Sequence, residues 1–314
     1  MMQPCNFDAG EVFSGRKSNN IVRGWSAANE YTPPFDPSYV PQPWATDIIV
    51  WLCSLHEGIY IYGPAGCGKT SCLKHFASRL NYPVFEVTAH ARLEFPELVG
   101  HHTVRDGNMS FEYGPLALAM KHGGIFLINE LDLLDPSTAA GLNSILDGSP
   151  LVIPENGGEI IYPHEMFRFA ATANSNGAGD ESGLYQGVMR QNMALMDRFM
   201  FVEAGYLAPD REKALILAKC PGVKDKLAEQ MVRFATDMRS MFTGNDAEQD
   251  VTIELTCSTR ALIRWGTLIG LYAPLRATGV NVVAHALDRA LLFRATPATR
   301  TALKELAQRI FGGK

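Results

Sequence analysis

The 314-residue sequence predicts an α/β fold: a parallel five-stranded sheet with two inserted β-hairpins, followed by an all-helical C-terminal region. Three observations predict it. Five apolar or β-branched runs of strand length, at 58–62, 84–88, 125–128, 167–172 and 199–202, alternate with helical patterns, which builds a parallel sheet covered on both faces. The first run leads through Gly63-Pro64-Ala65-Gly66-Cys67-Gly68-Lys69-Thr70 into a helical pattern at 71–80. That is the strand–loop–helix order a G-x-x-x-x-G-K-[ST] phosphate-binding loop requires. Beyond Pro209 every periodic segment is helical.

Residues 1–43 are rich in Pro, Asn, Ser and Gly and close on Pro33-Pro34, Pro37, Pro41 and Pro43. They read as an extended arm laid on a surface by Trp25, Tyr31, Phe35 and Tyr39. A nucleotide-binding core is expected over 44–208, entered by a helix at 44–53, with further helices at 114–122 and 137–146. Two hairpins interrupt it. Runs at 101–104 and 109–111 flank Arg105-Asp106-Gly107-Asn108, and runs at 151–153 and 159–162 flank Pro154-Glu155-Asn156-Gly157-Gly158. Neither hairpin buries much on its own, so two insertions on one rigid core point to parts that touch a substrate. A helical lid is expected over 209–314, with helices at 211–219, 225–242, 258–271, 282–295 and 298–311. Pro221-Gly222, Thr243-Gly244-Asn245 and Gly279 punctuate it.

Composition narrows the class. At 46% hydrophobic residues the chain has ample material for a core, and no run of eighteen apolar residues spans a membrane. Met1-Met2-Gln3-Pro4-Cys5 lacks the basic and apolar regions of a signal peptide. A net charge of −5 and a pI near 5.9 argue against nucleic acid as a partner. Six cysteines (5, 53, 67, 72, 220, 257) form no CxxC pair and read as reduced thiols of a cytoplasmic protein. Cys67, inside the phosphate loop, reads as a neutral filler rather than a redox switch.

The loop glycines let successive N–H groups point at phosphate oxygens, and the following helix start adds its own N–H groups and dipole. Lys69 then reaches the β- and γ-phosphates, the Thr70 hydroxyl takes a place on Mg²⁺, and Ser71 continues the cradle. Hydrolysis also needs a carboxylate that orients water. The run Ile125-Phe126-Leu127-Ile128-Asn129-Glu130 has the shape of a Walker B segment and offers Glu130. Asn129, with Thr70, is the candidate for the metal shell; its amide oxygen accepts a hydrogen bond from metal-bound water but brings no charge. Asn129→Asp is therefore expected to tighten Mg²⁺ dependence with equal or faster turnover. Asn174, at the tip of the run 167–172, can reach the γ-phosphate or the attacking water. Asp135-Pro136-Ser137 reads as a turn and helix cap. Arg198 and Arg260 are candidates to stabilise transferred charge, although either alone is an ordinary surface residue. His101-His102 makes a poor metal pair, since neighbours on a strand point to opposite faces.

GPAGCGKT, GGIFLINELD, FRFAATAN, LMDRF and STR, in that order and spacing, resemble an AAA+ ATPase. Within that class the chain looks most like the MoxR-like branch and its CobS-type ATPase subunits of aerobic cobaltochelatase. The likeness runs through most of the chain. It includes Phe35-Asp36-Pro37-Ser38-Tyr39-Val40, Glu97-Leu98-Val99-Gly100, and Phe169 to Asn174 followed by Gly177-x-Gly179-Asp180 and Gly183-Leu184-Tyr185. The resemblance implies ATP and Mg²⁺ as cofactors, Lys69 and Thr70 as Walker A, Glu130 as the catalytic Walker B carboxylate and Asn174 as sensor 1. It further implies Arg198 as an arginine finger acting on the neighbouring subunit, and Arg260 as sensor 2. A homo-oligomeric, hexameric ring follows by the same likeness. The two hairpins face its pore as the helix-2 and pre-sensor-1 inserts, and a von Willebrand A domain protein is its partner. Asn129 departs from the Asp of the family pattern, and Ser258-Thr259-Arg260 lacks its usual Pro. The leading expectation is a ring motor that remodels or activates a partner protein. Three alternatives stay open: a cobaltochelatase ATPase subunit, a weakly hydrolysing nucleotide-gated scaffold, and a GTP-driven nucleic-acid motor that the acidic pI disfavours.

Overall fold

Residues 3–105, 107–179, 185–243 and 253–312 are described by the computed structural model. Asp106, Asp180, Gly183, Leu184, Gly244 and Asn245, named above in turns and motifs, lie outside the described residues.

The chain begins with β1 (Pro4–Asp8), α1 (Ala9–Ser14) and β2 (Ile21–Trp25), the strands pairing antiparallel with Pro4 opposite Trp25. This corrects the expectation of an extended arm. The signal lay under the Pro- and Asn-rich composition: Asp8 caps α1, accepting from the Glu11 amide at 2.8 Å and from the Ser18 amide at 2.9 Å. The expected anchoring does occur at three residues. Trp25 is buried and donates Nε1–H to the Gly123 carbonyl at 3.1 Å, Tyr31 stacks on Phe85 at 4.6 Å, and Phe35 packs on His75 at 5.6 Å.

α2 (Ala45–Ser54) leads into β3 (Gly58–Tyr62), α3 (Lys69–Arg79) and β4 (Val84–Thr88). A short α4 (Phe95–Val99) precedes the first inserted hairpin, β5 (Gly100–Arg105) and β6 (Asn108–Tyr113). α5 (Pro115–His122) and β7 (Ile125–Asn129) follow. The helix expected at 137–146 is two pieces, α6 (Pro136–Ala140) and α7 (Asn143–Leu146). Asp135 does cap the first, accepting from the Ser137 amide at 2.8 Å. The break falls at Gly141, where a Cβ would stand 3.1 Å from the Phe95 ring. The second hairpin is β8 (Leu151–Ile153) and β9 (Glu159–Ile161), and the core ends with β10 (Arg168–Ala173), α8 (Met193–Met196) and β11 (Phe199–Glu203).

The five-stranded sheet has the order β11-β3-β10-β7-β4, and every pairing is parallel. All residues of β7 and β10 are buried, as central strands covered on both faces require. Because the strands are parallel, the ends carrying Tyr62, Asn129 and Ala173 open on the same edge of the sheet, where α/β folds hold ligands.

The C-terminal helices are α9 (Pro209–Lys219), α10 (Asp225–Thr243), α11 (Thr259–Leu271), α12 (Val282–Ala290) and α13 (Pro297–Phe311). The helix expected at 282–295 stops at Ala290 and continues as a 3-10 turn, Leu292–Arg294. Trp265 packs edge-on to Phe234 at 5.4 Å and to Phe311 at 5.5 Å inside a separate apolar cluster. The chain divides into two compact units, one of Met1–Asp36, Pro41–Gly63 and Lys69–Ala204, the other of Pro37–Val40, Pro64–Gly68 and Gly205–Lys314. Among the described residues no helix is long and apolar enough to cross a membrane.

Glu254 ties down the start of α13. It accepts from the Thr296 amide at 3.0 Å and from the Thr299 hydroxyl at 2.5 Å. These bonds, the Thr299 hydroxyl foremost, lower its pKa from 4.5 to about 2. A depressed folded-state pKa stabilises above the ordinary carboxylate range and is lost as pH falls from 4.5 towards about 2. Glu254→Gln is therefore expected to lower stability at pH 7 by roughly 1 kcal/mol or less, the group being exposed. Its melting temperature should also fall less steeply between pH 4.5 and pH 2 than that of the parent chain. Parallel Tm–pH curves for the two proteins would show that the cap contributes nothing.

Candidate functional site

The phosphate loop leaves β3 through a glycine the backbone requires. Gly63 has φ 145°, and a Cβ there would stand 2.0 Å from the Ala204 carbonyl oxygen. Gly68 also has a positive φ, 101°, and a Cβ there would meet nothing within 4 Å, so its glycine answers to conformation alone. Lys69 opens α3 and donates from Nζ to the Gly63 carbonyl at 2.7 Å and to Asn174 Oδ1 at 3.2 Å. Thr70 donates its hydroxyl to Asn129 Oδ1 at 2.7 Å, and Thr172 donates to the same oxygen at 2.9 Å. Asn129 Nδ2 in turn donates to Glu86 Oε1 at 2.6 Å. Lys69 with Asn174, and Thr70 with Asn129, thus form two hydrogen-bonded pairs of one polar cluster at the strand ends, joined through the adjacency of Lys69 and Thr70 in the chain.

Glu130 follows Asn129 directly. It is exposed, and its backbone is in the left-handed region at φ 57° and ψ 44°. Only Asn81 shares a positive φ among the described non-glycine residues. Such a conformation costs of order 1–3 kcal/mol and gathers at functional positions. Asp132, two residues on, is fully buried. Its Oδ2 accepts from the amides of Asn174 and Ser175, each at 2.9 Å, and from the Ser175 hydroxyl at 3.1 Å. Asp132 therefore fixes the backbone that carries Asn174. Tyr60 donates to the Ser175 carbonyl at 3.0 Å, and burial, assisted by the Asp132 charge, raises its phenol pKa.

The remaining loop residues, Pro64, Ala65, Gly66, Cys67 and Gly68, group with the C-terminal unit. Within that unit Tyr206 donates to the Ala65 carbonyl at 3.1 Å, and a Cβ on Gly66 would stand 2.7 Å from Ser258 Cβ and 3.6 Å from Arg260 Cβ. Cys67 is buried, Ser71 and Arg260 are exposed. The start of α11, where Arg260 sits, is held from below. Buried Glu212 accepts from the Thr259 hydroxyl at 2.6 Å and takes Arg239 bidentately at 2.8 and 2.9 Å. Arg239 also donates to the Cys257 carbonyl at 2.8 Å. The Cys257 thiol, fully enclosed, is pushed up to about 12 by burial, which leaves it unreactive as a nucleophile.

Arg198 is engaged elsewhere. It grips Asp147 with two bonds, at 2.8 and 2.9 Å, which raise its own pKa and lower that of the aspartate. Among the described residues no hydrogen bond or ion pair joins Arg198 to the Lys69 cluster. His102 meets the second hairpin, with Nε2 at 2.8 Å from the Glu155 carbonyl oxygen, and no group of three potential metal ligands occurs among the described residues. Sequence reasoning missed Glu86, Thr172 and the clamping role of Asp132. A charged residue inside the strand run Val84-Phe85-Glu86-Val87-Thr88 was the available signal for the first.

A family profile described as the AAA domain of the dynein-related subfamily matches residues 58–199, and one described as the CbbQ/NirQ/NorQ C-terminal domain matches 212–310. The chain is 29% identical over 311 residues to the aerobic cobaltochelatase subunit CobS of a Sinorhizobium species, covering 96% of this chain and 89% of that one. It is also 29% identical over 237 residues to a protein of Staphylococcus aureus strain NCTC 8325, covering 74% of this chain and 85% of the relative. Among solved structures, a RuvB variant of Thermotoga maritima aligns with a TM-score of 0.46 at 16% identity, over 82% of this chain and 70% of that one.

Proposed function

We propose that this chain, which belongs to the MoxR-like AAA+ ATPases, binds ATP with Mg²⁺ at Lys69 and Thr70 and hydrolyses it to drive work on a partner protein. The observation that carries the reading is the cluster joining Lys69, Thr70, Asn129 and Asn174 at the ends of neighbouring parallel strands. Its residues fit the two ligands. Positive-φ glycines free the backbone to curl around phosphate, and Thr70 gives its proton to Asn129 Oδ1, which leaves the hydroxyl lone pairs for a metal.

Bound Mg²⁺ would draw charge from the β- and γ-oxygens as the terminal phosphoryl group is transferred. The chain's own groups do the rest. Lys69 binds and neutralises the same oxygens, while the Glu130 carboxylate orients the attacking water and takes its proton on an Oε atom. The Asn174 amide, steadied by Asp132, positions that water against the γ-phosphate. By likeness to the family, Arg198 acts on the neighbouring subunit's nucleotide, Arg260 reports nucleotide state, and the subunits form a hexameric ring. The two hairpins then face the pore, and a von Willebrand A domain protein is the fitting partner class.

A steady-state ATPase assay on the parent chain and Glu130→Gln tests this. Turnover should fall by roughly 10²-fold or more while ATP still binds, because the amide cannot take a proton. Near-background rates in both proteins would instead support a nucleotide-gated scaffold, the reading favoured by the uncharged Asn129. Likeness to CobS along most of the chain favours a second reading, the ATPase subunit of a cobaltochelatase. Cobalt-dependent stimulation of ATPase activity by a chelatase large subunit would support it, and stimulation by a von Willebrand A domain protein alone would support the first.

A further inference from the structure

We infer that Glu86 is a positioning residue for the metal side of this site: it sets the orientation of the Asn129 amide, and thereby where the Thr70 hydroxyl proton points. The inference rests on the nucleotide–Mg²⁺ reading above. Glu86 lies on β4, beside β7 in the sheet, with Thr88 opposite Asn129 and Glu86 opposite Leu127. Residues two apart on a strand share a face, so Glu86 and Asn129 meet diagonally across the pair. One carboxylate oxygen accepts from Asn129 Nδ2 at 2.6 Å, and the other is paired with Lys74, one turn along α3 from Thr70.

An ionised carboxylate can only accept hydrogen bonds, whereas an amide presents a donor end and an acceptor end. Glu86 therefore holds Nδ2 on its own side and turns Oδ1 towards the two threonines. Oδ1 accepts from Thr70 at 2.7 Å and from Thr172 at 2.9 Å, which uses both of its lone pairs. Reversal of the amide would aim Nδ2 at Thr70 and consume a hydroxyl lone pair that a metal needs. The negative charge absent from Asn129 thus stands one residue further out, on Glu86.

The sequence-based expectation for Asn129→Asp took no account of this neighbour. An aspartate there would set a second carboxylate oxygen where Nδ2 now donates to Glu86, replacing that hydrogen bond by a contact between two acceptors of like charge. The pair is a matched set. Restoring the more usual Asp requires changing Glu86 as well.

The test combines melting temperature without nucleotide and the Mg²⁺ requirement for binding a fluorescent ATP analogue, both on the full chain. Glu86→Ala should need about 10- to 100-fold more Mg²⁺ for half-maximal binding, as losses of partners behind a metal ligand do, with affinity in EDTA unchanged. Glu86→Gln, whose Oε1 can still accept from Nδ2, should stay within about threefold of the parent. Asn129→Asp should melt ~3–8 °C lower, and Asn129→Asp/Glu86→Gln should recover most of that loss. An unaltered Mg²⁺ requirement in Glu86→Ala, or additive melting shifts in the double variant, would overturn the inference. A parent chain that binds the analogue at no Mg²⁺ concentration would instead overturn the proposed function, and the melting cycle would still report whether the two residues are coupled.

Discussion

Lys69→Ala is expected to lose ATP affinity by at least two orders of magnitude while the protein stays folded. The ammonium is the cation of the loop, held at 2.7 Å by the Gly63 carbonyl and at 3.2 Å by the Asn174 amide oxygen. In the proposed complex it turns to the β- and γ-phosphates. Each charge-assisted bond to phosphate contributes about 1.5–3 kcal/mol, so losing two costs roughly 3–6 kcal/mol, or about 150-fold in Kd upward. The fold loses far less. Lys69 sits in the first turn of α3, Ala is the best helix former, and the half-buried side chain leaves no large cavity. Titration with a fluorescent ATP analogue, next to a melting curve, separates the two effects. Parent-like affinity in a well-folded variant would mean that Lys69 does not meet phosphate, and the loop would need another ligand.

Much of this site was legible in the sequence because its chemistry is local. Loop 63–70 lies between a strand and a helix that its own periodicity announces, and Asn129-Glu130 and Asn174 stand at the tips of apolar runs. The unread parts depend on pairings between segments far apart in sequence. Glu86 meets Asn129 only because β4 and β7 are neighbours, 43 positions apart in the chain. Asp132 reaches the Asn174 backbone across a similar gap of 42. The same limit applies to the N-terminal segment. Pro- and Asn-rich composition suggested an extended arm, yet Asp8 supplies a helix cap and β2 supplies a partner strand, so residues 4–25 fold as a small unit on the core. Composition averages over such single-residue signals.

Arg198 separates two readings that the sequence could not tell apart, a salt-bridged surface residue and a group that completes a neighbour's active site. In the single chain it grips Asp147 bidentately. Such an exposed pair is screened by solvent and contributes little to stability, so breaking it cannot slow catalysis by more than a small factor through the fold. An arginine that stabilises transferred charge is worth about 10³-fold or more in turnover, equal to roughly 4 kcal/mol. Arg198→Ala is expected to keep ATP affinity near the parent value and to lose about 10³-fold in turnover, because the transition state uses the charge and the ground state hardly does. Asp147→Ala serves as the control. It breaks the same ion pair and keeps the cation, so its turnover should fall much less. Mixing Arg198→Ala with Glu130→Gln then tests the geometry, since each variant retains the half-site the other lacks. An interface with Glu130 on one side and Arg198 on the other should regain activity, and the amount regained should follow the statistical fraction of such interfaces as the mixing ratio is varied. Recovery requires an oligomer with Arg198 acting across the subunit boundary. No recovery in rings shown by pull-down to be mixed, together with equal loss in Asp147→Ala, would leave Arg198 as a partner of Asp147 and nothing more.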